Sequence, residues 1–346
     1  MITIESNTAD QMYMQAFNLL NDPNVFSIVD SRNGPNREIL HFGFQLNNPK
    51  QRFIVSRKPP INITFAMAEV VWIMRGRNDS KFLNYWNNAL PKYAGETHEY
   101  HGSYGYRIRK HFGHDQLEQA YNTLKHQSNS RQVVLQIWDS TKDLPKVNGQ
   151  PESKDIPCNL LSMIKVRNNK LEWTQIMRSN DFYRGLPYNI IQFTVLQEVL
   201  AGWLGIEMGS YNHFSDSLHS YIQDLEKFNM GSIIQQNNSL NLSLPKNESE
   251  HSFSILESII ERLIQNNITQ KEIVNLISNS NLNNSYNDIL ILFCVECSRR
   301  HKWIELSKEL INTISNQDLK SMWLNWDYYL SMLRDSENGI SINVCK

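Results

Sequence analysis

Cysteine is scarce in this chain of 346 residues: there are four, at no spacing that builds a disulfide framework. That excludes a small disulfide-stapled fold and leaves the thiols free, as a reducing compartment would. Cys294-x-x-Cys297 has no second cysteine pair or paired histidine nearby, so four zinc ligands are not visible and no metal is expected. Charge surplus is equally lacking. With a formal net charge of -1, no global basic field points to nucleic acid as a partner. Long apolar runs are missing too. The longest strongly apolar one, Ile289–Val295, is far short of the roughly 20 residues of a membrane helix, and the opening MITIESNTADQ has no charged-then-apolar export pattern. The expectation is a cytoplasmic protein with neither a membrane nor a nucleic-acid partner.

The length suffices for one large domain or two. Thr8–Asn21 has helical spacing in Met12, Met14, Phe17 and Leu20, and Arg32-Asn33-Gly34 reads as a turn. Ile39–Leu46 and Phe53–Val55 are strand-like, and Ile61–Met74 is an apolar helix ended by Gly76. Glu69 sits inside that helix among Val70, Val71, Trp72 and Ile73, where a carboxylate is costly to bury without a partner or a task. Residues 86–114 read as loop-rich, Ser130–Trp138 as a strand, and Val147–Ile156 as a polar surface connection that delivers Pro157-Cys158. Leu160–Val166, the turn signal Asn168-Asn169-Lys170 and the alternating Leu171–Arg178 form a hairpin pattern. Asn189 can cap a helix carrying Phe193, Leu196, Leu200 and Trp203, stopped by Gly205.

Beyond Tyr221 the helical reading runs to about Met230. Gln235–Ser252, rich in Asn, Ser and Gln, reads as a linker or surface excursion. Ser254-x-x-Glu257 and Thr269-x-x-Glu272 have the capping-box pattern, and apolar periodicity follows in 285–299, 301–315 and 318–334. The expected division is a catalytic domain over 1–235, a polar linker over 236–250 and a helical appendage over 251–346.

Four motifs occur in order: Pro157-Cys158, Arg178-Ser179-x-Asp181, Gly185–Asn189 (Gly-Leu-Pro-Tyr-Asn) and His219-x-Tyr221. In sequence and spacing they resemble the thymidylate synthase superfamily over roughly residues 10–230, and Ser217–Tyr221 looks closer to its pyrimidine-nucleotide hydroxymethylase branch. The resemblance implies an α/β fold of thymidylate synthase type, a mixed six-stranded sheet with flanking helices, here with a C-terminal all-helical appendage. It also implies a homodimer through the back of the sheet.

The resemblance implies folate-dependent one-carbon transfer to C5 of a pyrimidine 5′-monophosphate, with 5,10-methylenetetrahydrofolate as co-substrate. C5 is a poor nucleophile until a thiolate adds at C6, and Cys158 matches the nucleophile that does this. A buried structural cysteine is the plainer alternative. Arg178 and Ser179 match a phosphate-binding pair, and Arg32 matches a loop arginine that closes on the same phosphate. Arg131 matches a residue donated across the two-fold axis, with Gln132 where a second arginine is usual. Asn189 matches the reader of the base edge and, as an amide, favours uracil; His219 and Tyr221 match the sugar-hydroxyl pair. Asp181 corresponds to the carboxylate that receives the pterin, Glu69 to a proton-relay glutamate and Tyr104 to the tyrosine linked to removal of the C5 proton. Trp72 and Trp86 suit contact with folate or nucleotide, or the core.

Three departures stand out. Asn159 follows the nucleophile where methylating synthases commonly have His, Met177 precedes Arg178 where they have Gln, and SINVCK replaces their aliphatic closing tail. Admitted water would give a hydroxymethyl product and excluded water a methyl one, and the missing tail tilts toward water. A catalytically inactive nucleotide sensor is the alternative. Retention of Cys158, Glu69, Tyr104 and Asp181 argues against it.

Overall fold

The computed structural model describes residues 1–31, 34–146, 149–151, 153–231 and 237–337. Ten strands are described: β1 Ile2–Ser6, β2 Ser27–Val29, β3 Asn36–Leu46, β4 Arg57–Lys58, β5 Val134–Gln136, β6 Asn159–Arg167, β7 Lys170–Met177, β8 Asn180–Asp181, β9 Glu207–Tyr221 and β10 Asn229–Met230. Six of them form a continuous mixed path, β1-β3-β9-β7-β6-β5, with β2 added on β3 and β8 on β9. β9 is its axis, antiparallel to β3 and parallel to β7.

The β6–β7 hairpin follows from local chemistry. Asn168 and Asn169 both take left-handed φ, 51° and 58°, the two-residue turn whose twist matches the flanking strands. Beyond it Leu171, Trp173, Gln175 and Met177 point into the core and the residues between them are half-buried. On β3 and β9 the alternation slips by one: Ile39 and Phe42 are both buried, as are Ser215 and Leu218, and His41 between them on β3 has φ 54°. The slip leaves His219 half-exposed.

The amino-terminal helices are α1 Ala9–Leu20, α2 Ile63–Met74, α3 Ser80–Asn84, α4 Leu90–Ala94 and α5 Tyr104–Tyr106, which runs into a π-helical turn at Arg107–His111. They are followed by α6 Gln116–His126, α7 Ser140–Asp143, α8 Leu186–Leu204 and α9 Ile222–Leu225. Thr8 caps α1 and Asn62 caps α2, each side chain accepting a first-turn N–H. Every α2 residue except Glu69 is buried, so this helix has no face to give to water. Helix α8 covers one of its sides. Gly205, φ 66°, ends α8 in the left-handed conformation.

The remaining helices, α10 Lys246–Leu263, α11 Gln270–Ser278, α12 Asn284–Arg300, α13 Ile304–Thr313 and α14 Gln317–Glu337, share this core. Helices α10, α12 and α14 all pack on α2. Glu257 on α10 accepts from Arg75 Nε at 2.6 Å and Arg77 Nη1 at 2.9 Å, just past the end of α2. Fully buried Glu296 on α12 holds Arg299 and Arg300, and Arg300 reaches the Trp86 carbonyl. The segment read as a polar linker is not a surface excursion over its described part. Leu240 and Leu242 are buried, Leu242 N–H donates to Glu198, and Glu198 also binds buried Arg52 at 2.5 Å.

Local patterns misled elsewhere as well. Phe53 and Ile54 are buried, but Phe53–Val55 forms no strand, and Ser130–Trp138 contributes only Val134–Gln136. The helix after Tyr221 stops at Leu225. Ser254 lies inside α10, which starts eight residues earlier, whereas Thr269 does cap α11 through the Glu272 N–H. Asn189 lies one turn inside α8, whose cap position is Gly185. Cys294 and Cys297 are buried thiols, with Cys297 Sγ 3.5 Å from the Tyr85 hydroxyl and from the Leu263 carbonyl. No described helix is long and apolar enough to cross a membrane.

Because α10, α12 and α14 cover a helix buried at every residue but Glu69, removing residues 246–346 is expected to give a protein that aggregates or binds a hydrophobic dye strongly. A monodisperse truncated protein with native near-UV circular dichroism would show that α2 does not need them.

Candidate active site

Cys158 stands at the entry of β6, and the chain returns to it at the end of β7. The Arg178 N–H donates to the Cys158 carbonyl, closing the hairpin ladder. The guanidinium then turns back on the same segment: Nε donates to the Pro157 carbonyl at 3.0 Å, Nη2 to that of Ile156 at 3.2 Å, and Nη2 lies 4.0 Å from Cys158 Sγ. Trp138 supports it, with the guanidinium carbon 5.6 Å from the ring centre. Nη1 makes no hydrogen bond among the described residues. Burial pushes the Cys158 thiol up; Arg178 pulls it down, and Asp155 and Asp181 push it up further.

A thread of amides runs inward from Cys158. Asn159, fully buried, bonds the Tyr104 hydroxyl, accepts from Gln175 at 2.8 Å and donates to Asn189 Oδ1 at 3.4 Å. Asn189 Nδ2 donates to Asn180 Oδ1 at 3.3 Å, and Asn180 in turn meets His213 Nε2 and Ser215 Oγ, each at 3.1 Å. Burial lowers the His213 pKa to about 3, so this imidazole is neutral. The two Asn189 bonds are long, and a base edge can compete for both.

The Tyr104 segment packs on α2 because of a glycine. A Cβ on Gly105 would collide with the Ile73 backbone, so only glycine lets this segment lie directly on α2. Ile73 is four residues from Glu69, on the same helix face. Glu69 Oε2 is enclosed without a hydrogen-bond partner, while the Gln192 side chain bonds the carboxyl. Burial raises the Glu69 pKa to about 8, opposed only by the Gln192 bond. Burial also raises the Tyr104 hydroxyl, with Cys158 adding to it.

On the other flank, Ser179 Oγ lies 3.4 Å from His219 Nδ1, and the His219 and Tyr221 rings are 5.6 Å apart, edge to face. Asp181 Oδ1 accepts the backbone N–H groups of Tyr183 and Arg184 at 2.9 and 2.8 Å. Burial raises the Asp181 pKa against the pull of His219 and Arg184. Arg184 pairs with Asp224 at 2.7 Å.

The structure therefore places Arg178 against Cys158 and ties Asn189 and Tyr104 to the next residue, Asn159, while Glu69 stands on α2, against which the Tyr104 segment packs, and Ser179, His219 and Tyr221 meet on the other flank. Arg131 is exposed and lines a separate cavity of about 810 Å³ with Lys125, Arg167 and Trp203. Arg32 lies outside the described residues. Trp72 and Trp86 have core roles: Trp72 Nε1 donates to the Asp79 carbonyl, and Trp86 is fully enclosed between Tyr85 and Phe293. Sequence reasoning missed Asp155, Gln192 and Asn180. Asp155 and Gln192 sit in none of the motifs, although Asp155 is only three residues before Cys158, and Asn180 is the unassigned position of Arg178-Ser179-x-Asp181. Among the described residues no group of three or more His, Cys, Asp or Glu could hold a metal.

The family model described as Thymidylate synthase matches residues 32–261, more than half of the chain. The chain belongs to the thymidylate synthase family. Deoxyuridylate hydroxymethyltransferase of Bacillus phage SP01 is 32% identical to it over 235 residues, 65% of this chain and 60% of that protein. The protein of the same name from Pseudomonas phage M6 is 32% identical over 204 residues, 57% of this chain and 56% of that one. Thymidylate synthase of Francisella philomiragia subsp. philomiragia is 27% identical over 202 residues, 54% of this chain and 72% of that protein. This family member thus spans less than two thirds of the length of the two phage proteins.

The raised Glu69 pKa has a measurable sign. Between 4.5 and about 8 the folded carboxyl keeps a proton that the unfolded chain has released. Its stabilising contribution is therefore complete below 4.5, declines above it and is gone by about pH 8. The slope is at most about 1.4 kcal/mol per pH unit. Glu69→Gln, which cannot ionise, should remove that decline from urea-unfolding free energies. Parallel wild-type and variant curves would mean that Glu69 is already ionised in the fold.

Proposed function

We propose that this protein is a cytoplasmic, homodimeric transferase that moves a one-carbon unit from 5,10-methylenetetrahydrofolate to C5 of a uracil-bearing nucleoside 5′-monophosphate. The hydroxymethyl outcome is favoured over methyl. The observation that carries this reading is the Cys158 thiol beside Arg178, joined through Asn159 to both Tyr104 and Asn189. The names of the two phage relatives support the hydroxymethyl outcome.

In this reading Arg178, with Nη1 uncommitted, and Ser179 take the phosphate, and binding draws the guanidinium off the 156 and 157 carbonyls. His219 and Tyr221 hold the sugar hydroxyl. Asn189 exchanges its long bonds to Asn159 and Asn180 for the base edge. Cys158 Sγ adds to C6, and the C5–C6 electron pair moves onto C5 and O4. The folate supplies the electrophilic one-carbon group at C5. Glu69, with an orphaned oxygen in a closed site, suits an ordered water and a proton near neutrality. The folate fits here as well, since Asp181 is the carboxylate on the flank where a pterin N–H would need an acceptor. Trp72 and Trp86 are not part of that proposed contact. A water held by the Tyr104 hydroxyl carries the C5 proton to the folate nitrogen as the bond from that nitrogen to the one-carbon group breaks; a second water then adds its oxygen to the exocyclic methylene left at C5, and the C5–C6 double bond re-forms as Cys158 leaves with the proton of that water.

The dimer reading has its own support. The sheet face away from α8 is half-buried or exposed at Met163, Ile176, Phe214, Leu40 and Val134. Arg131 is then donated to the phosphate of the partner's site, with Arg32 proposed as the closing arginine. The helices beyond residue 245 are proposed to hold α2 and the Trp86 segment in place for the site.

The deciding experiment incubates the protein with methylenetetrahydrofolate and each of UMP, dUMP, CMP and dCMP and weighs the products. A uracil nucleotide gaining a hydroxymethyl group, with tetrahydrofolate released and Cys158→Ala inert, is expected. No product from any of the four would sink the proposal.

Asn189→Asp tests the base assignment. An ionised aspartate repels O4 of uracil, whereas its protonated form suits cytosine N3. A buried mismatch of this kind costs roughly 1–3 kcal/mol, or about one to two orders of magnitude in kcat/KM. The variant should shift toward cytosine. A wild type that already prefers CMP or dCMP would remove Asn189 from base reading.

A further inference from the structure

The amide chain that passes through Asn159 does not begin there. It continues along β7 to Gln175 and Trp173, two buried residues that belong to none of the motifs. Trp173, Gln175 and Met177 alternate on the buried face of β7, and across from them Asn159 and Ser162 are both buried although three residues apart, because the ladder shifts register between Asn159 and Leu161. Gln175 Oε1 accepts from Trp173 Nε1 at 3.2 Å and from the Ser162 hydroxyl at 2.6 Å, and Gln175 Nε2 donates to Asn159 Oδ1 at 2.8 Å.

The direction of this chain is not free. An indole N–H can only donate, so the Gln175 atom beside it is the oxygen and the other is the nitrogen. That nitrogen can only donate in turn, so Asn159 gives it Oδ1 and turns Nδ2 to Asn189 Oδ1, at 3.4 Å. Asn189 Nδ2 is left for the far side, where both neighbours accept: Asn180 Oδ1 at 3.3 Å and the Met177 thioether sulfur at 3.7 Å. Asn180 Nδ2 then meets His213 Nε2 at 3.1 Å, and this ring nitrogen must accept. His213 is neutral, so its one ring proton belongs on Nδ1, which faces the Tyr211 hydroxyl at 3.0 Å. All of these side chains are buried, so reversing a single amide would set donor against donor and acceptor against acceptor away from bulk water.

We propose that Trp173 and Gln175 are positioning residues that fix the order of oxygen and nitrogen on the Asn189 amide, and with it which pyrimidine the site reads. Uracil presents an acceptor at position 4 and a donor at N3. Cytosine presents the opposite pair at the same two places, so an amide held in one order suits one base and its reverse suits the other. The order outlasts the exchange of the two long Asn189 bonds for a base edge, because a reversed amide would still face Asn159 Nδ2 on one side and Asn180 Oδ1 on the other. The inference deepens the transferase reading above, which assigns the held order to uracil; the order itself stands on hydrogen bonds of the ligand-free protein.

The variant is Trp173→Phe, which removes the indole N–H and leaves every amide of the chain in place. With no nucleotide present, nitrogen NMR of protein carrying labelled histidine reads the His213 tautomer, its signals identified by their loss in His213→Gln. Wild type should hold the proton on Nδ1, and Trp173→Phe should move part of it to Nε2. A wild-type His213 protonated on Nε2 overturns the proposal whether or not the variant folds, and so does a folded Trp173→Phe whose tautomer is unchanged. The second readout is the ratio of the dCMP Kd to the dUMP Kd. Freed to take either order, Asn189 in Trp173→Phe should lower that ratio roughly tenfold, and Gln175→Leu, which cuts the chain one link further on, should lower it to a similar extent. Loosened packing alone would weaken both nucleotides alike and leave the ratio as it was, and that result overturns the proposal. If wild type turns over no nucleotide but the tautomer and the ratio change as stated, the transferase reading fails and the assignment of Trp173 and Gln175 survives.

Discussion

Helix α2 has no polar face, and much of the structure follows from having to enclose it on every side. Burying an apolar side chain is worth about 1.5–3 kcal/mol, so eleven buried positions in twelve make exposure of any flank expensive. Helix α8 covers one flank and α10, α12 and α14 cover others, which is why helices far along the chain belong to the same core as the sheet. Glu257, reaching back to Arg75 and Arg77, fixes where α10 lies against the end of α2.

The same enclosure shapes the chemistry. Glu69 is the one residue of α2 that is not buried, yet its Oε2 is shut away from water, and a carboxyl in that position keeps its proton to about pH 8. Cys158, Asp155 and Asp181 are raised by the same desolvation. Desolvation thus works against the charged forms of these groups, while Arg178 beside the thiol works the other way. Further inward, Asn159, Asn189, Asn180 and His213 form a neutral chain whose members satisfy one another and so hold their positions without charge.

In the sequence, what could be read was local. The turn at Asn168-Asn169, the Thr8 and Thr269 caps, the stop at Gly205 and the apolar run of α2 were all legible, because turn chemistry and periodicity act over a few residues. The motifs named the family and a set of site residues in the same way. Reading failed where burial is set by residues distant in sequence. Leu240 and Leu242 sit in an Asn- and Ser-rich stretch that looks solvated, yet Glu198 and Tyr286, each 44 residues from Leu242, bind its backbone and hold it in the core.

The residue types at the candidate site were determined by the sequence alone: the Cys158 thiol, the amides of Asn159 and Asn189, and the Glu69 carboxylate inside an apolar helix. Their working environment was decided by tertiary structure. Gly105 looks like any loop glycine until Ile73 is found against it, and Trp86 looks like a ligand platform until Phe293 closes over its ring. Asp155 reads as one more polar residue in a surface connection until its carboxylate is found on the Gly102 N–H, which ties its segment to the one that leads into Tyr104. The physical reason is common to all three. Electrostatic strength and proton affinity depend on how much water surrounds a group, and that is set by contacts between segments tens to hundreds of residues apart.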